Sequence, residues 1–223
     1  EREGQIPLGG ITDIRPFLEK AKREVTLSAD ECIAVWENAQ RYGQIQDFFA
    51  SKGEDYPQLS QRAETLGDFS LLVQRVGAVF DENHQVRDNA SVELARLRTR
   101  IAELERRTKR YIQQILADKS YQKYFQDTLV TVRNNRSVIP VKQEYRHAFP
   151  GIVHDMSASG ATLYVEPLAV VDANNDLQTA KLAEEKEIER IYRRLTALIA
   201  GQYEDLYKST MTTGELEFAL TKG

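Results

Sequence analysis

Between residues 90 and 115 the chain returns to one apolar position at alternating intervals of four and three: Ala90, Leu94, Leu97, Ile101, Leu104, then Tyr111 and Ile115. Thr108 is the single polar residue in the series, and neither Pro nor Gly interrupts it. An average interval of about 3.5 is that of a coiled-coil seam. A lone helix with so narrow an apolar stripe is marginal in water, so the segment demands a partner helix.

The expected partner runs from about 168 to 208, with Val171, Leu177, Ile188, Ile191, Leu195, Leu198 and Leu206 as its seam and a charged middle at Lys181, Glu184, Glu185, Lys186 and Glu187. At about 1.5 Å per residue a helix of that length reaches about 60 Å, and the two are expected to pair antiparallel. A last short helix is expected over 213–221, offering Leu216, Phe218 and Leu220.

Residues 1–10 read as loop, with Pro7 and the Gly9-Gly10 pair. Asp13 is placed to cap a short helix carrying Ile14, Phe17, Leu18 and Ala21. Ser28 with Glu31 forms a capping box ahead of a helix bearing Ile33, Trp36 and Ala39, then Phe48 and Phe49. Gly53 and Pro57 end that pattern; further short helices are expected around Leu59–Leu66 and Leu71–Val79, followed by a polar turn at 81–85. This stretch predicts a helical subdomain.

The β-like residues sit between the two long helices. Leu129-Val130-Thr131-Val132 and Val138-Ile139-Pro140-Val141 flank Asn134-Asn135, a hairpin signal. Ile152-Val153-His154 and Ala161–Glu166 flank Ser157-Ala158-Ser159-Gly160, a second one. Pro140 has no N–H to donate, so its strand is expected to be an edge or to be bulged there. The fold class expected is mainly α with a small antiparallel β element: a helical core at 1–89, a first lever helix at 90–125, a clamp-like β region at 126–167, and a return helix with a link at 168–223.

Composition removes several function classes. The net charge of −4 excludes a polycation, so contact with nucleic acid must come from a local patch. One cysteine, Cys32, allows no intrachain disulfide and reads as a small buried apolar residue; no Cys/His cluster suggests zinc. No apolar run has the roughly 18 residues a membrane helix requires, and no leader is visible, so a cytoplasmic chain without membrane contact is expected. The opening Glu1-Arg2-Glu3-Gly4 and the close at Leu220-Thr221-Lys222-Gly223 suggest a segment of a longer protein.

The chain is not expected to be an enzyme on its own. His154, Asp155, Ser157 and Ser159 have the residue types of a hydrolase triad, but adjacent strand side chains point to opposite faces and would separate His154 from Asp155. No G-x-S-x-G elbow and no glycine-rich phosphate loop is present. The serines are better suited to bonding the local backbone of a turn. No cofactor or metal is expected here.

The basic residues carry more. Arg96, Arg98, Arg100, Arg106, Arg107, Lys109 and Arg110 crowd the first long helix, either as a solvated surface pairing with glutamates of the partner helix or as a phosphate contact. The β region carries Arg133, Arg136, Lys142, Arg146 and His147. Arg133 and Arg136 flank a turn, from which they could reach a phosphate backbone without reading sequence. The rival reading is architectural: a dimerising or protein-docking arm.

Two stretches are specific. Arg133-Asn134-Asn135-Arg136-Ser137-Val138-Ile139-Pro140-Val141-Lys142-Gln143-Glu144-Tyr145-Arg146 and Gly151-Ile152-Val153-His154-Asp155-Met156-Ser157-Ala158-Ser159-Gly160-Ala161-Thr162-Leu163-Tyr164-Val165-Glu166-Pro167 resemble the signature of the bacterial MutS paralogues called MutS-two. Ile6–Pro16 resembles that family's core domain, and Glu215–Leu220 the segment before its ATPase domain. Ser137 departs from the family, which usually has an aromatic residue there. The resemblance implies a core domain, lever helices at about 90–118 and 174–223 and a clamp between them. It also implies a parent that dimerises, binds ATP and Mg in a following domain, and often ends in an Smr endonuclease domain. The roles it implies are suppression of homologous recombination on branched DNA and splitting of collided ribosomes through ribosomal RNA. Mismatch reading is not implied, since the family lacks the domain that does it.

Overall fold

The structure, a computed structural model, describes residues 7–221. The opening at residues 1–6 and the side chain of Leu220 lie outside the described residues, so Ile6 and Leu220 are not placed. The chain divides into two compact units: one holds the residues up to Ser91 and those from Ile188 onward, the other is Val92–Glu187.

The first unit holds α1 (Arg15–Lys22), α2 (Ala29–Lys52), α3 (Pro57–Ala63), α4 (Ser70–Gly77), the later part of α6 (Val171–Ala200) and α7 (Tyr203–Thr221). The capping box forms as expected: Glu31 N–H donates to Ser28 Oγ at 3.2 Å, and Ser28 N–H to Glu31 Oε2 at 2.9 Å. Asp13 works one residue earlier than a cap, accepting Arg15 N–H at 3.1 Å beside Ile14, which takes the cap position. Tyr42 and Asn38, one turn apart on α2, make the central polar link of this unit. Asn38 Nδ2 donates to the Thr12 carbonyl at 2.7 Å, its Oδ1 accepts Thr12 N–H at 3.0 Å, and Tyr42 Oη lies 3.0 Å from Thr210 Oγ1. Cys32 is buried, and desolvation pushes its thiol up to about 12, which fits the reading as a packed apolar residue.

The return helix differs from its expectation. Instead of one helix to 208 and a separate one at 213–221, α6 stops at Ala200 and α7 runs unbroken from Tyr203. Gly201 and Gln202 form the turn between them, and the backbone freedom of Gly weakens a helix at that point. The division between units falls inside α6, between Glu187 and Ile188.

The second unit is built on α5 (Val92–Ala117), the first part of α6 and four strands. Ion pairs show that α5 and α6 run antiparallel here: Arg98 Nε meets Glu184 Oε1 at 2.8 Å, and further along α5 Glu105 Oε1 meets Lys181 Nζ at 2.8 Å. Ile101, Leu104, Leu177 and Ala180 pack between them. The seam keeps its expected members through Thr108 and departs from strict heptads after it. Ile112 and Leu116 are the next buried members, in place of the expected Tyr111 and Ile115, which are only partly buried. Steps of four drift around the helix and turn its last two apolar residues onto the sheet. Thr108 is 1% exposed, and its hydroxyl has no hydrogen-bond partner among the described residues. Thr108→Val is therefore expected to stabilise the unit by about 1 kcal/mol, read as a higher urea midpoint at unchanged slope.

The strands are β1 (Thr131–Arg133), β2 (Arg136–Lys142), β3 (Gly151–Met156) and β4 (Thr162–Pro167), antiparallel and ordered β1-β2-β4-β3. Asn134 (φ 49°) and Asn135 (φ 61°) both adopt the left-handed region, as a two-residue turn matching the strand twist requires. One face of the sheet presents Ile139, Val141, Leu163 and Val165 to Ile112, Leu116, Phe125 and Phe149. β2 is central, not an edge, yet Pro140 is accommodated. Its carbonyl accepts Gln126 N–H at 2.9 Å, so the side that lacks an N–H faces residues beyond the end of β1, away from β4. The bulge lies elsewhere, between Val153 and Asp155 on β3. No helix among the described residues is long and apolar enough to cross a membrane.

Candidate nucleic-acid interface

The bulge changes the placement of the residues that have the types of a hydrolase triad. It places two β3 residues opposite one on β4, so the strand alternation expected to part His154 from Asp155 fails there. Each is instead taken by a different partner. His154 Nε2 lies 2.6 Å from Glu166 Oε2, while Asp155 Oδ2 lies 3.2 Å from Arg133 Nε. Ser157 Oγ accepts Thr162 N–H at 3.1 Å, the local turn role expected of it.

Glu166 is fully buried and forms the hub of a polar network. Besides His154 it meets Arg136 Nε at 3.3 Å and accepts from Asn174 Nδ2 at 2.7 Å. Arg136 also donates to Asn175 Oδ1 at 2.7 Å. Arg133 lies with its guanidinium 4.2 Å from the centre of the Tyr164 ring, against Asp155. Arg133 and Arg136 are direct cross-strand neighbours, an arrangement that repels unless each has its own carboxylate, as here. Both arginines expected at the turn are thus held by the sheet's own acids.

The other expected cations fall elsewhere. The single-turn helices Gln122–Tyr124 and Gln143–Tyr145 lie side by side, joined by Lys142 Nζ donating to the Lys123 carbonyl at 3.3 Å and by the Tyr124 and Tyr145 rings at 4.9 Å. Tyr121 stands 6.0 Å from Tyr124 and packs edge-on to buried Phe149 at 5.5 Å. The three tyrosines form a half-buried tier over the sheet core. Around it stand Lys119, Lys123, Lys142 and Arg146 against Asp118 and Glu144, with His147 adding a further ring, so segments 118–124 and 142–147 sum to +2 in a chain of −4. Asp118 stays ionised, because the Ser120 hydroxyl and N–H both donate to it and hold its carboxyl below the usual range. Arg146 and His147 are exposed, with no side-chain partner among the described residues.

On α5 the structure sorts the basic residues by position. Arg96, Arg98 and Arg100 pair with Glu93, Glu184 and Glu103. Arg106, Arg107, Lys109 and Arg110 are exposed and meet no carboxylate among the described residues; Arg107 instead lies 5.4 Å over the Tyr111 ring. The cations nearer the sheet end of α5 are the ones without a carboxylate partner among the described residues. Sequence reading missed Glu166 and Asn174 as a network, named Tyr145 only within the Arg133–Arg146 stretch, and did not single out Tyr121, Tyr124 or Lys123. The alternation of Tyr with Lys over 119–124 was the available signal.

No protein-family model matches the chain. Individual relatives do. An endonuclease MutS2 from Geobacillus sp. (strain WCH70) is 40% identical over 222 residues, covering 98% of this chain and 28% of the relative. A putative endonuclease MutS2 from Bacillus subtilis (strain 168) is 41% identical over the same length and shares. An endonuclease MutS2 from Symbiobacterium thermophilum is 39% identical over 218 residues, 98% of this chain and 27% of the relative.

Over this span the chain is MutS2-like. It covers little more than a quarter of the MutS2 relatives it matches, so what a whole MutS2 protein does is not displayed by these residues alone. What they display is a helical unit and a second unit in which Arg106, Arg107, Lys109, Arg110, Lys123 and Arg146 are exposed without carboxylate partners among the described residues.

Proposed function

We propose that the Val92–Glu187 unit grips the phosphate backbone of a structured nucleic acid on behalf of a MutS2-type protein. The observation that carries this reading is the set of cations without carboxylate partners among the described residues, exposed Arg106, Arg107, Lys109 and Arg110 on α5, and exposed Lys123 and Arg146 with half-buried Lys142 at the tyrosine tier, in a chain of net charge −4. Such contacts supply affinity and orientation and leave sequence unread. Arg133 and Arg136 act here by shaping the sheet rather than by touching ligand. In the parent, the helices of this arm couple the grip to nucleotide state in an ATP- and Mg-binding domain beyond it, in a homodimer. The nucleic acid is branched DNA where the parent suppresses recombination and ribosomal RNA where it splits collided ribosomes.

Replacing Lys123, Lys142 and Arg146 together by Glu is expected to weaken binding roughly 30-fold or more and to lower the slope of log K against log salt by about 3, one per lost phosphate contact. Co-sedimentation with bacterial ribosomes, competed by branched and linear duplex DNA across a salt series, measures both and distinguishes the two roles. Unchanged affinity and slope in the triple variant would sink the reading. The rival, a protein-docking arm, has its own support in the exposed Leu129, Val132 and Met156; its binding would survive high salt.

A further inference from the structure

The tyrosine tier has a feature that phosphate binding does not use. Tyr121, Tyr124 and Tyr145 are only partly buried, and none of their hydroxyls bonds another described residue or counts among the buried atoms without a partner. A phenol that serves only packing is commonly sunk in the core or tied by its hydroxyl; these three keep part of each side chain at the surface. The rings grade inward from Tyr145 and Tyr124 to Tyr121 and then to buried Phe149 and Phe125, so the outer ones stand on a rigid aromatic base. Lys123 Nζ lies 5.1 Å from the Tyr124 ring centre, and Arg146 and His147 follow Tyr145 directly.

Rings held rigidly at a surface and ringed by cations are the two halves of a single-strand site, in which bases stack while the backbone tracks the charges. A duplex keeps its bases stacked on one another and offers no ring face to the tier. We infer that the tier at Tyr124 and Tyr145 binds unpaired nucleobases by stacking, so that the arm selects loops, junction openings or single strands over closed duplex. This rests on the phosphate-grip reading, with Lys123, Lys142 and Arg146 holding the backbone on either side of the stacked base.

The test separates the two ideas by chemistry. Binding of the 223-residue chain is measured to a short fluorescent single strand and to an abasic strand of equal length and charge. The abasic strand is expected to bind about tenfold more weakly. Tyr145→Leu, which keeps apolar bulk, is expected to abolish that difference, and Tyr145→Phe to keep it. Equal affinity for the two strands would overturn the stacking inference and leave the phosphate grip standing. A base-containing preference that persists undiminished in Tyr145→Leu would overturn the assignment to this ring. Failure to bind either strand at low salt would overturn both readings.

Discussion

Glu166→Ala should lower the stability of the Val92–Glu187 unit by about 3–5 kcal/mol, a large fraction of what a unit of this size possesses. The reason is the asymmetry between making and breaking a buried ion pair. Glu166 is fully buried, and the Arg136 side chain opposite is 18% exposed. Removing the carboxylate leaves the largely buried guanidinium with no counter-charge, takes one acceptor from the Asn174 amide and takes the partner from the His154 ring, all at once. Arg133→Ala is the control. Its pair with Asp155 is 37% and 47% exposed, and solvent screening leaves less than about 1 kcal/mol to lose beyond packing on Tyr164. Amide hydrogen exchange over β4, compared with that over α2, localises the effect to the correct unit. A Glu166→Ala loss no greater than that of Arg133→Ala would refute the network as the organising feature of the sheet.

The second large effect belongs to the other unit. Tyr42→Ala is expected to cost about 3–5 kcal/mol, since the residue is fully buried and its ring meets Phe69 at 5.7 Å. Desolvation raises its phenol above the ordinary range, so it bonds Thr210 and Asn38 as a neutral group at neutral pH. Tyr42→Phe leaves the ring and removes only those bonds, and about 1 kcal/mol is expected. Trp36, the one tryptophan of the chain, lies on the same helix and donates to the Val73 carbonyl at 2.9 Å, so its fluorescence in a urea titration reports this unit directly. A Phe variant as damaged as the Ala variant would mean that the hydroxyl, not the ring, carries the stability.

The residues that spoke in the sequence are those whose roles are local. The heptad stripe needed a partner helix and has one; Ser28 with Glu31 capped α2; two asparagines made the turn that two left-handed residues require. Errors came where a distant element decided the outcome. The seam moved from Tyr111 to Ile112 because the end of α5 answers to the sheet rather than to α6. Pro140 sat in a central strand because β1 ends before reaching it. Among the candidate site residues, sequence could find the cations but could not tell which had an acid waiting in the fold. Arg133 and Arg136 lie within four positions of each other and both find one, from β3 and β4, whereas Arg146 finds none among the described residues. That distinction depends on strand register, which composition does not encode.

The bulge at His154 has a bearing on how the protein keeps to itself. β3 is an outermost strand carrying Ile152, Val153 and Met156 at 40–54% exposure, the profile that invites a neighbouring molecule to add a strand. A ladder can extend only along a backbone whose donors and acceptors keep a regular beat. One surplus residue in mid-strand breaks that beat on the open side. The same surplus residue that delivers an imidazole to Glu166 therefore guards the β3 edge of the sheet against an added strand.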